Sequence, residues 1–177
     1  MDWARAVEES SPPPSVVYSF LEALPRAQAS WKGAGKTLAG VWEEDRFRFE
    51  GQAGVTDIFA TDAALVEGKP RLAIWLQPYD DLEATLTFSD LPPGRQLHLF
   101  YALPDPVFQQ AKLIPVYLEV WIGQKKLFET RVNSKGWKEK TVDLTLPFLL
   151  QRRFLIRVKV WAAEKQSSSF IFYARIE

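Results

Sequence analysis

The feature that most constrains this chain is a period-two alternation of apolar and polar residues, repeated over many short segments. Along residues 115–122, Leu118, Val120 and Ile122 fall on one side of an extended chain, and Tyr117, Glu119 and Trp121 on the other. Along residues 154–161, Phe154, Ile156, Val158 and Val160 oppose Leu155, Arg157, Lys159 and Trp161. Successive side chains of a strand point to opposite faces, so the pattern marks sheets with one dry face and one partly wet face.

Extended segments are expected at residues 37–42, 46–50, 55–60, 71–76, 82–88, 96–102, 115–122, 126–132, 138–144, 154–161 and 169–176. Turn residues separate them: Gly68-Lys69-Pro70, Leu91-Pro92-Pro93-Gly94, Gly123-Gln124 and Asn133-Ser134-Lys135-Gly136. Many short strands at near-regular spacing predict an all-β fold, an antiparallel jelly-roll β-sandwich. The first residues read differently. Asp2 is placed to cap a short helical segment running to Glu9, and Ser11-Pro12-Pro13-Pro14 breaks the chain. Val16, Val17, Phe20, Leu21 and Leu24 then recur at helical spacing until Pro25, which predicts a short amphipathic helix. The domain reading is an N-terminal extension over residues 1–37 and a sandwich over 38–177.

The residue inventory narrows the chemistry. Lys+Arg and Asp+Glu both number 22, so the basic surplus of a nucleic-acid binder is missing. No cysteine is present, which removes disulfides, cysteine nucleophiles and cysteine-based zinc sites. No apolar run is long enough to span a bilayer. Gly33-Ala34-Gly35-Lys36-Thr37 resembles the end of a phosphate-binding loop, but no apolar strand precedes it and the anion cradle needs strand, loop and helix together. His98 is the only histidine, in a strand, and no nucleophile-elbow pattern accompanies it. Asp80 and Asp81 follow Tyr79 in a loop and are the pair best suited to calcium, yet no spaced calcium loop surrounds them. No enzyme activity and no cofactor are expected.

The aromatic residues carry the functional reading. Trp75, Tyr101, Tyr117, Trp121, Trp137 and Trp161 fall on strands or their ends. Two sets share a face with charges: Tyr117, Glu119 and Trp121, and Arg157, Lys159 and Trp161. A sugar ring offers an apolar C–H face that stacks on an aromatic ring, and hydroxyls that bond to charged or amide partners. The bland alternative is that these tryptophans fill a core or lie beneath a terminal segment.

Residues 70–78 (Pro-Arg-Leu-Ala-Ile-Trp-Leu-Gln-Pro) followed by 86–94 (Leu-Thr-Phe-Ser-Asp-Leu-Pro-Pro-Gly) resemble galactose-binding-like jelly-roll domains. Trp137 through Leu144 is similar to the Trp-x-x-x-x-Val-Asp-Leu stretch before their last two strands, and residues 170–176 look like their terminal strand. The resemblance implies eight or nine strands and a role as a carbohydrate-binding module or accessory domain of a larger cell-envelope protein, in an extracellular or periplasmic setting. Relatives with a structural calcium place an acidic residue where this chain has Ala174 and Arg175. The expectation is a non-catalytic module for a glycan, contacted by Tyr79, Asp80, Asp81, Tyr117, Glu119, Trp121, Arg157, Lys159 and Trp161, with the Asp105 loop as a further wall. The alternative is an assembly domain that binds a partner protein by a sandwich face or by the helix around Val16 and Leu24.

Overall fold

A computed structural model describes residues 16–33, 35–50, 57–79, 82–92, 94–144, 154–163 and 167–177. The expected segment from Asp2 to Glu9, the Pro12–14 break, and Asp80 and Asp81 lie outside them. Thirteen strands follow in chain order: β1 (Tyr18–Ser19), β2 (Gln28–Gly33), β3 (Lys36–Glu43), β4 (Arg46–Phe49), β5 (Ile58–Val66), β6 (Lys69–Leu76), β7 (Glu83–Leu91), β8 (Gln96–Ala102), β9 (Val116–Ile122), β10 (Lys125–Val132), β11 (Lys138–Asp143), β12 (Phe154–Ala162) and β13 (Phe170–Ile176). One helical turn, α1 (Phe20–Ala23), lies between β1 and β2. Every ladder is antiparallel. The chain is therefore an all-β sandwich, as the alternation predicts, and no helix among the described residues is long and apolar enough to cross a membrane.

The strand order is β10-β9-β12-β7-β2-β3-β4-β5-β6-β13-β8-β11. It folds into two layers because β3 belongs to both. Its first half pairs with β2, ending at Ser30↔Ala39, and its second half pairs with β4 from Gly40↔Phe49 onward. Gly40 is where the strand changes layer. A Cβ there would meet the Phe49 ring at 2.8 Å and Ala29 Cβ at 3.2 Å, so only glycine lets the two layers approach so closely. The layers bury a common core of Trp31, Phe20, Phe88, Phe170 and Phe172 with the aliphatic residues of β5–β9, all at most 1% exposed for these five rings. Phe20 and Phe88 meet edge to face with ring centroids 4.5 Å apart.

Two sequence expectations change. The helix predicted from Val16 to Leu24 is one turn, Phe20–Ala23, followed by a 3-10 turn at Leu24–Arg26. Before it the chain is extended: Val17 N donates to Ile176 O, and Tyr18 and Ser19 pair with Ile176 and Arg175 of β13. The sheet edge offers hydrogen bonds that a short helix lacks, and the β-branched Val16 and Val17 favour extension. Ser19 caps the turn by accepting from Glu22 N. The second change is β2, a strand the sequence reading missed, which sits between β7 and β3 with Trp31 at its buried centre. Gly33 pairs with Lys36 across the β2–β3 hairpin, Gly35 has φ 75°, and Lys36 and Thr37 begin a strand instead of a helix. The strand–loop–helix order that a phosphate cradle needs is therefore missing among the described residues.

Candidate functional site

The outer face of the layer β10-β9-β12-β7-β2 collects six of the nine expected site residues. Register fixes their neighbours: Trp161 lies opposite Tyr117, Lys159 opposite Glu119, and Arg157 opposite Trp121. The side chains of this face are half-buried, while Leu118, Val120, Val158 and Val160 point into the core. The alternation on β9 and β12 thus appears in space as it stands in the sequence.

Tyr117 and Trp161 stack across the strands, with centroids 5.3 Å apart and planes 16° from parallel. The Arg131 guanidinium lies over Tyr117 at 6.0 Å. Tyr117, Trp161 and Arg131, with Glu119 and Glu129, line an open depression of about 420 Å³, within the size range of small-molecule sites. Trp121 sits beside it under cations: Lys126 Nζ at 5.2 Å, Arg157 Cζ at 5.8 Å and Lys159 Nζ at 5.9 Å from its ring. Its indole Nε1 donates to Glu119 Oε2 at 2.8 Å. The tryptophan that the sequence offers as a stacking platform is thus flanked by three cations, while Trp161, beside Tyr117, is the tryptophan that lines the depression.

The charges are mostly paired. Lys126 Nζ reaches Glu119 Oε1 at 2.7 Å and Glu129 Oε2 at 2.5 Å, and Lys159 Nζ reaches Glu83 Oε1 at 3.0 Å. Arg157 donates to Gly123 O at 2.6 Å and keeps a buried Nε with no hydrogen-bond partner among the described residues. Burial pushes the Glu119 carboxyl up, but hydrogen bonds from Lys126 and Trp121 and the charges of Lys126 and Lys159 outweigh it and hold the group below the usual glutamate range. Glu119 is thus a fixed acceptor for hydroxyl donors.

Tyr79 is placed elsewhere. It lies in the loop between β6 and β7, with its ring edge-on to Trp31 at 6.2 Å, where it caps the core. Asp105 uses both carboxylate oxygens on the β5–β6 turn, accepting from Glu67 N at 2.8 Å and Gly68 N at 2.7 Å. His98 is half-buried on the outer face of the other layer, its Nε2 3.3 Å from Glu177 Oε2. Among the described residues no group of three or more His, Asp or Glu side chains is arranged to hold a metal ion.

Arg131 and Glu129 were missed by sequence reasoning, and a bulge explains why. A plain count across the Gly123-Gln124 turn puts Thr130 opposite Tyr117 and Phe128 opposite Glu119. The β9–β10 ladder instead shifts between Lys126 and Phe128, so Glu129 pairs with Glu119 and Arg131 with Tyr117. Leu127 and Phe128 both pack against the core, and one extra residue turns the two charges outward.

No protein-family model matches this chain, and no curated protein matches it. Solved structures similar to it include the CBM51 of a GH95 from Clostridium perfringens in complex with methyl-galactose, at 12% identity over 70% of this chain and 90% of that one, TM-score 0.48. Another is the carbohydrate-binding module TmCBM61 in complex with beta-1,4-galactotriose, at 17% identity over 68% and 82% of the two chains, TM-score 0.42. A third is the enzymatically active domain of tailspike protein 4 of bacteriophage CBA120, at 12% identity over 91% of this chain and 21% of that one, TM-score 0.44.

Proposed function

We propose that this domain is a non-catalytic carbohydrate-binding module whose ligand rests on the outer face of β9, β10 and β12. The observation that carries the reading is the Tyr117–Trp161 pair, stacked across two strands and open to a depression rimmed by Glu119, Glu129 and Arg131. Ring faces suit the C–H surface of a sugar, and the carboxylates and guanidinium suit vicinal hydroxyls. Catalysis is disfavoured by the same geometry. A glycosidase needs one carboxyl held protonated as its acid, whereas Glu119 is held ionised and shares Lys126 with Glu129. The runner-up is an assembly domain that binds a partner protein by a sandwich face or by the helix around Val16 and Leu24, and its helix form loses its basis because Phe20, Ala23 and Leu24 are buried in this chain's own core.

A glycan array read with the parent, Trp161→Ala and Trp121→Ala tests the proposal. Trp161→Ala is expected to weaken binding by about tenfold or more, corresponding to roughly 1–3 kcal/mol of lost stacking. Trp121→Ala acts less directly, through the position of Glu119. Because Lys126 bridges Glu119 and Glu129 and takes up an oxygen of each, binding is expected to be the same in calcium and in EDTA. No binding to any glycan by the folded parent would overturn the reading.

A further inference from the structure

The layer change at Gly40 leaves a notch in the same outer face. Beyond Ser30↔Ala39, β3 swings away to β4, while β2 continues alongside β7 to Gln28↔Thr87. Among the described residues, Gln28 and Ala29 therefore have a strand on one side only, and so do Gly40 to Trp42. Backbone polar groups on those facing edges have no ladder to join, and they need partners from water or from a ligand. The notch is an open hollow of about 500 Å³ between Gln28, Ser30, Thr87, Gly40, Val41 and Trp42. No side chain in its lining is ionisable. What it offers is an amide, hydroxyls, strand edges and the Trp42 ring, which Phe47 holds edge-on at 5.0 Å.

The notch and the aromatic depression are separate hollows joined by one sheet face. Register carries the outer face from Trp121 through Arg157 and Thr87 to Gln28, and from Glu119 through Lys159 and Thr85 to Ser30. It lies two to three strands from Trp161 and up to four residues along, roughly 12–20 Å at standard strand spacings. That is the length of a few linked sugar rings.

We propose that the notch is a second subsite for the same ligand, which is a neutral oligosaccharide lying across the strands, one ring on Tyr117–Trp161 and a later ring in the notch. The proposal rests on the carbohydrate reading above. Neutrality follows from the lining, which holds no ionisable side chain, and from its flanks, where Arg157 beside Thr87 is engaged by Gly123 O and Arg48 beside Val41 by Glu43 and Glu44.

The test is calorimetric titration with cello-, xylo-, manno- and galacto-oligosaccharides of one to six rings, on the parent, Val41→Glu and Gln28→Ala. Val41 is exposed, so its replacement leaves the core intact. For the series that binds, parent affinity is expected to climb by about tenfold between the short and long members and then level off. Both variants are expected to lose that gain while binding the shortest binding member as the parent does. Affinity independent of chain length, or variants that keep the full gain, would overturn the second subsite and leave the Tyr117–Trp161 reading standing. Failure of every neutral series to bind a parent that binds a charged glycan on the array would overturn the second subsite alone, and failure to bind any glycan would overturn both.

Discussion

At the residue scale, one charge and one missing side chain decide most about this face. Glu119 is ionised in the folded chain at lower pH than in the unfolded one, so its contribution to stability is fully present above the usual glutamate range. The contribution fades as the pH falls through the lowered value. Glu119→Gln is therefore expected to lower the urea midpoint at neutral pH, with the gap to the parent closing in acid. A gap that persists in acid would mean packing, not charge, sets the effect. Gly40 is the opposite case, important for what it lacks. Gly40→Ala forces a methyl against the buried Phe49 ring, and overpacking of this kind costs about 1–3 kcal/mol, readable by urea denaturation. Neither role is visible locally in the sequence. Glu119 reads as one of many acidic residues, and Gly40 as a glycine interrupting a strand.

At the element scale, the strands expected from alternation and turn residues correspond to β3 through β13, with ends differing by a few residues and β5 running on to Val66. They were legible because each buries one face, and burial writes itself into the sequence with the period of the backbone. β2 was not. Its apolar residues, Ala29 and Trp31, are few, and the neighbouring glycines at 33 and 35 read as loop. The helix was overread for a related reason: Phe20 and Leu24 are buried at helical spacing, but Val16 and Val17 share that spacing while standing 48% and 45% exposed. The β5–β6 turn gives a prediction of its own. Glu67 and Gly68 both have positive φ, and Asp105 binds both of their amides. Asp105→Ala is expected to destabilise by about 1–2 kcal/mol in urea unfolding while leaving glycan affinity unchanged. A loss of affinity in a stable variant would return Asp105 to the binding surface.

At the scale of the whole molecule, two layers share one aromatic core, and the N-terminal segment helps to fill it. Phe20→Ala is expected to cost about 3–5 kcal/mol by thermal or urea unfolding, whereas Val17→Ala stays within about 0.5 kcal/mol. Equal effects would show that the segment docks loosely. The sequence by itself determined the all-β class, most strands, and which residues of β9 and β12 share the wet face, because those properties repeat along the chain at the pitch of a strand. Only the tertiary structure decided which of them form a site. A bulge at Leu127 brought Arg131 and Glu129 beside Tyr117, pairing of β9 with β12 stacked Tyr117 on Trp161, and the crossing of β3 at Gly40 opened the notch. Register and layer change join residues far apart in the chain, and a local pattern holds no record of which distant strand it will meet.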